Sequence, residues 1–228
     1  MDCMSKPPHL IRIKSKEQFD WLIDHLVTET NRASDHWHLC RGLDAACGEY
    51  LKEIESTPVF WELTIRAHQD SVVLRLARLF DPAATALSIV NFLETIHRGV
   101  TDRTLASLGL DVAGLDMAAI QDELRIVSDR DPLVSRLLEV RNDYLAHRNH
   151  GLVSSGSFSS LPVLPEEEIQ TLLSRALQIG EKYRRLYGRM LPARGLLGLE
   201  DYKRMLSLIR LGLRGWDAER IRRIIDPG

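Results

Sequence analysis

Apolar residues recur along this chain at helical spacing and almost nowhere at the alternating spacing of a strand. Phe19, Leu22, Ile23 and Leu26 follow Ser15-Lys16-Glu17-Gln18, which has the form of a capping box. A helix is therefore predicted from there to about Glu55, with a break near Arg41-Gly42. Thr57-Pro58 supplies an N-cap and a proline at the first helical position, opening a second helix that runs to Asp81-Pro82. A third is predicted over 86–98, then a loose segment over 99–114, then helices over 116–128 and 132–148, the last opened by Asp131-Pro132. Residues 149–164, NHGLVSSGSFSSLPVL, carry glycine, serine and proline without a period. So long a loop in a compact domain is either functional or disordered. Pro165 and three glutamates open a further helix that reaches about Tyr187, with acids in the first turn where the macrodipole favours them. After a link at 191–198, two shorter helices are predicted over 199–213 and 216–225.

The fold class this implies is all-α, an up-and-down helical bundle. Residues 1–14 form an N-terminal segment, 15–190 the bundle and 196–228 a C-terminal helical extension.

Composition changes this picture little. The chain has 228 residues and a net charge of −2, so no global basic field points to nucleic acid. The distribution is uneven. Residues 181–228 hold twelve Lys/Arg and six Asp/Glu, which leaves −8 for residues 1–180. A basic tail on an acidic body suits an anionic partner, and equally a solvated helix face. Three cysteines, Cys3, Cys40 and Cys47, give no disulfide framework and suit a reducing compartment. The N-terminus has no apolar signal-like run and no segment is long enough to span a membrane, so a cytoplasmic location is expected.

Chemical density is highest in LLEVRNDYLAHRNHG, residues 137–151. On a helix at ~100° per residue, Leu133, Val134, Leu137, Leu138, Val140, Tyr144 and Leu145 share one apolar face. Arg141 falls inside that stripe, His147 at its edge and Tyr144 between them, while Asn142 and Asp143 point away. A buried guanidinium needs an anionic or hydrogen-bonding partner, because an unpaired interior charge costs several kcal/mol. Arg141 and His147 lie about 120° apart on a regular helix, so they converge only on a ligand above Tyr144, by distortion, or across two chains. In the helix over 60–81, Phe60, Leu63, Ala67, Leu74 and Ala77 read as one apolar stripe. Asp70 and Ser71 fall in its gap and Arg78 at its edge. Asp70 is thereby the expected partner of Arg141, either as a site residue or as a plain interhelical lock.

These residues resemble those of the HEPN (higher eukaryote and prokaryote nucleotide-binding) superfamily, whose motif is an arginine, a polar residue that is often asparagine, and a histidine after a short spacer. Here it reads Arg141-Asn142-Asp143-Tyr144-Leu145-Ala146-His147. The upstream RAHQDSVVLRLARLFD and ALSIVNFL are similar to the AbiU-like branch, named for abortive phage infection. The resemblance implies a helical bundle that dimerises so that two motifs face each other across a cleft. It also implies a metal-independent endoribonuclease of toxin or phage-defence type, or a member that has lost catalysis and binds nucleotides or partners. In the first case His147 is general acid or base, Arg141 binds the transition-state anion and Asn142 orients. Asp70, Ser71, Arg78, Tyr144 and Arg148 are then candidates for substrate binding. RNA is the implied substrate, an antitoxin or regulator a possible partner, and no cofactor or metal is called for. In one toxin branch a tyrosine follows the histidine by two residues and is modified by an antitoxin; Asn149 occupies that position here.

Two other clusters are weaker. His36-Trp37-His38 with Cys40 and Cys47 lacks a second compact pair to close a tetrahedral metal set. Tyr187 stands among Arg184, Arg185, Arg189 and Arg194, a setting for stacking and phosphate contact with single-stranded RNA, or for a solvated helix end.

Overall fold

The computed structural model describes residues 11–142, 164–188 and 198–225, with side chains placed through Trp216 in the last stretch. Among the described residues all regular structure is helical. The helices are α1 (Lys16–Glu49), α2 (Leu51–Glu55), α3 (Pro58–Leu79), α4 (Ile89–Thr101), α5 (Thr104–Ser107), α6 (Met117–Val127), α7 (Pro132–Val140), α8 (Glu166–Leu186) and α9 (Asp201–Ile225). No helix is long and apolar enough to cross a membrane among these residues. They group into two compact units. The first comprises Met1–Ala33 with Val73–Arg194, the second Ser34–Val72 with Gly195–Gly228.

The first unit closes on an aromatic cluster contributed by α1, α4 and α8. Phe92 lies 5.8 Å from Phe19 and meets Tyr183 edge-on at 5.2 Å. All three rings are essentially buried. The spacing of Ile169, Leu172, Leu173, Ala176, Ile179 and Tyr183 in α8 explains its single buried face. Tyr183 Oη and Lys182 Nζ both donate to Glu123 of α6, at 2.8 and 2.6 Å. Burial, with the Glu123 carboxylate beside it, holds the Tyr183 phenol far above its usual range.

Local signals set most helix ends. Ser15 Oγ accepts from the Gln18 amide at 3.3 Å, and Gln18 Oε1 reaches back to the Lys14 amide at 2.9 Å. Asp116 and Asp131 cap α6 and α7 through their side chains. Asp131 does more than cap. Its Oδ1 accepts from the amides of Leu133 and Val134 and from Arg175 Nη1 of α8 at 2.9 Å. Asp131→Ala removes a cap and a half-buried ion pair together, so an unfolding free energy lower by about 2 kcal/mol is expected in urea titration.

The second unit has its own small core: Leu43, Ala46, Tyr50, Trp61 and Leu206, with Leu39, Ile54, Ile65, Tyr202 and Ile209 packed around it. Arg210 of α9 ties it shut, bonding Glu53 at 2.7 Å through Nε and the Glu49 carbonyl at 2.6 Å through Nη2. Its guanidinium also stands 4.2 Å from the Tyr50 ring centroid.

Three sequence expectations change here. Arg41-Gly42 does not break the first helix, which runs unbroken to Glu49. Gly42 is there for close packing: a Cβ on it would fall 2.5 Å from the Tyr202 hydroxyl. The C-terminal extension is one helix, not two, because Gly212 and Gly215 sit inside α9 without interrupting it. The buried face of α3 follows the expected stripe only in its second half, where Ala77 is buried and Leu74 half-buried. Trp61, Val72, Leu76 and Leu79 are buried, whereas Phe60 and Leu63 are 54% and 61% exposed. This helix is apolar on more than one side, so periodicity alone left its inner face ambiguous.

Candidate functional site

Arg141 follows the last residue of α7, and the apolar face that carries it is the one expected: Val134, Leu137 and Val140 are buried. At residues 141–142 the backbone widens into a π turn. The guanidinium is half-buried, with 25% of the side chain exposed. Its Nη1 donates to Asp81 Oδ2 at 2.9 Å and its Nε to Asn142 Oδ1 at 3.0 Å. Two of the five N–H groups are thereby engaged with described residues.

Asp81 is itself held. Its Oδ1 accepts from the Ala83 amide at 2.9 Å. The turn that follows is pinned by Asn91, which is buried and donates to the carbonyls of Ala83 and Ala86 at 2.8 and 2.9 Å. Ser88, also buried, caps α4 by accepting from the Asn91 amide. The path from core to site is thus short: Ser88 and Asn91 fix the turn, the turn fixes Asp81, and Asp81 fixes Arg141.

The family model described as AbiU2, of the HEPN group, matches residues 16–203. The chain belongs to the HEPN AbiU2 family. No curated protein and no solved structure matches it.

In this AbiU2-family chain the carboxylate that meets Arg141 is Asp81, not Asp70. Asp70 belongs to the second unit, whereas Arg141 and Asp81 both belong to the first. Ser71 spends its hydroxyl on its own helix, donating to the Ala67 carbonyl at 2.7 Å. Arg78 is exposed in the last turn of α3, one turn before Asp81. The remaining site candidates, Tyr144, His147 and Arg148, lie outside the described residues, as do Asn149 and most of the loop over 149–164. Sequence reading missed Asp81, Ser88 and Asn91. The signals were present, in Asp81-Pro82, read only as a helix end, and in Ser88 three residues before Asn91.

Tyr187 does not offer its ring to solvent as a stacking platform. It packs edge-on against Phe19 at 4.8 Å, and burial, with Asp111 nearby, pushes its phenol up to about 12. Arg184 beside it pairs with Asp24 at 3.2 Å.

The histidine-cysteine cluster of α1 resolves into a different contact. His36 Nδ1 lies 2.8 Å from His68 Nδ1 of α3, so one ring donates and the other accepts. Among the described residues no group of three or more His, Cys, Asp or Glu side chains could hold a metal. Burial raises the Cys40 thiol above its usual range and lowers the His68 imidazole below its own. The unfolded chain then binds a proton at residue 68 more readily than the folded one, so stability is lost as pH falls below about 6.5. Protonating both rings also places a hydrogen on each Nδ1 and ends the contact. A melting temperature that drops between neutral pH and pH ~5.5 in wild type, and drops less in His68→Gln, is the expected result.

Proposed function

We propose that this HEPN-family chain is a metal-independent endoribonuclease of toxin or phage-defence type, acting on cytoplasmic RNA. The cleft is built by two copies of Arg141-Asn142-x4-His147 facing each other in a homodimer. In the reaction the ribose 2′-hydroxyl attacks the adjacent phosphorus, and His147 of one copy takes its proton. The bond to the 5′-oxygen breaks and that oxygen receives a proton from the second histidine, leaving a 2′,3′-cyclic phosphate and a 5′-hydroxyl. Arg141 binds the extra negative charge of the phosphorane through its remaining N–H donors, and Asn142 orients it. Arg78, Tyr144 and Arg148 hold the flanking phosphates and base. A cognate antitoxin or regulator would act by covering this cleft.

The observation that carries this reading is the positioning of Arg141. Its guanidinium is fixed by an anchored carboxylate, spends two of its five N–H donors on described residues and keeps a quarter of its side chain exposed. The same ion pair favours a second reading, in which Arg141–Asp81 is a structural lock and the module binds a nucleotide or a protein without cleaving.

The test is RNA cleavage in EDTA by wild type and His147→Ala, with product ends and oligomeric state determined for both. Cyclic-phosphate products from wild type, absent from a folded dimeric variant, support the nuclease. Equal cleavage by both proteins sinks the mechanism. No cleavage by a folded wild-type dimer across a mixed RNA pool favours the binding module.

A further inference from the structure

α9 uses one face for its own unit. Leu206 is buried there, with Tyr202, Ile209 and Leu213 half-buried along the same side. The adjoining flank carries Met205, Leu208, Gly212 and Gly215, spaced three, four and three residues apart, so they fall in one stripe. Met205 and Leu208 are 48% and 59% exposed. A Cβ added at Gly212 or Gly215 would meet nothing within 4 Å. The stripe therefore has two large side chains in its first half and two gaps in its second, placed symmetrically about residue 210.

That arrangement is complementary to itself in one orientation. A second α9 laid antiparallel, with a two-fold axis at residue 210, sets Leu208 over the partner's Gly212 and Met205 over the partner's Gly215. Each large side chain enters a gap, and the glycines let the two backbones approach closely. A parallel pair would instead set Leu208 on Leu208 and glycine on glycine, leaving a void.

The face is also large enough. Phe60 of α3 and Met205 of α9 both line a cleft of about 310 Å³ with Trp61 and Tyr202, so the apolar surfaces of the two helices are continuous. The exposed parts of Phe60, Leu63, Met205, Leu208, Leu211 and Trp216 amount to on the order of 700 Å², taking roughly 150–250 Å² for a whole large side chain. This approaches the ~800 Å² that each partner contributes to a standard interface, and exceeds the apolar patch of most monomers.

We propose that this face of the second unit binds a second copy of the chain, α9 against α9, antiparallel about residue 210. The contact is isologous, as closed dimers require. It is independent of the cleavage reading; where a motif-to-motif dimer also forms, the two contacts together build a tetramer.

Two measurements on the full chain test it. Leu208→Cys and Gly212→Cys proteins, carrying tags of different size, are mixed and mildly oxidised beside wild type. A mixed Leu208→Cys/Gly212→Cys disulfide that predominates over either self-linked product is expected. Sedimentation velocity of Leu208→Glu, with its helical circular dichroism checked against wild type, is expected to give half the wild-type mass. Leu208 is exposed, so this substitution leaves the fold in place. A wild-type chain that stays monomeric, a Leu208→Glu variant of unchanged mass, or predominant self-linking of Leu208→Cys overturns the proposal. The first of these would assign the face to a different protein.

Discussion

If the proposed nuclease reading holds, Arg141→Ala is expected to lower RNA cleavage by about 100- to 1000-fold, the cost of removing one well-placed donor to a developing anion. The loss should fall on kcat rather than KM, because the guanidinium matters most when the phosphorane charge appears. Arg141→Lys is expected to recover only part of that activity, since an ammonium keeps the charge but not the planar fork, which bonds Asp81 and on the proposed mechanism would bond a phosphate oxygen as well. Asp81→Asn tests the positioning role: it leaves Arg141 in place and slackens its anchor, so kcat should fall less than in Arg141→Ala. The outcome also separates the two readings of the ion pair. A structural lock would show as a lower melting temperature in Arg141→Ala that Asp81→Ala reverses in the double variant, because removing both partners removes the uncompensated charge. Single-turnover cleavage of a short RNA, read beside thermal melts of wild type, Arg141→Ala, Asp81→Ala and the double variant, makes the distinction.

Phe92→Ala is expected to destabilise the first unit by about 3–5 kcal/mol, a large share of the ~5–15 kcal/mol available to a typical domain. Phe92 is 2% exposed and joins Phe19 of α1 to Tyr183 of α8, so its removal opens a cavity where three helices meet. α4 also carries Asn91, and the turn that holds Asp81 loosens with it. Phe60→Ala is the matched contrast: that ring is 54% exposed and touches Trp61 only edge-on, so a small change is expected. Urea denaturation followed by far-UV circular dichroism compares the two directly, and similar midpoints would contradict this account of the core.

Much of the helical layout was legible because the ends carry local chemistry. Asp131-Pro132 and the acidic start of α8 mark boundaries that hold within a residue or two. The inner face of α7 was equally readable, since its apolar positions form one stripe. α3 was not, because Val59, Phe60, Leu63, Ile65, Val72 and Leu76 spread apolar surface around the helix, and only the neighbouring elements decide which side is covered. The same limit governs the site. That Arg141 required a carboxylate follows from its place in the apolar stripe. Which carboxylate supplies it is a matter of how helices are brought together, and the turn after α3 outcompeted the helix itself. The helices expected over 199–213 and 216–225 are one, because α9 is long enough to absorb Gly212 and Gly215 despite their low helix propensity.

The second unit is assembled from chain segments far apart in sequence. Tyr50 meets Ser207, and Glu53 meets Arg210, each at a sequence separation of 157. During synthesis, then, the α1–α2–α3 segment emerges with Trp61 and Leu43 uncovered, and waits for Leu206 of α9 to cover them. Long-range closure of this kind is slow and leaves apolar surface open in the meantime. Phe19, Phe92 and Tyr183 of the first unit all precede Leu206 in the chain. A nascent chain of this protein should therefore acquire its arginine site before its α9 face, with chaperone dependence concentrated in the interval between the two.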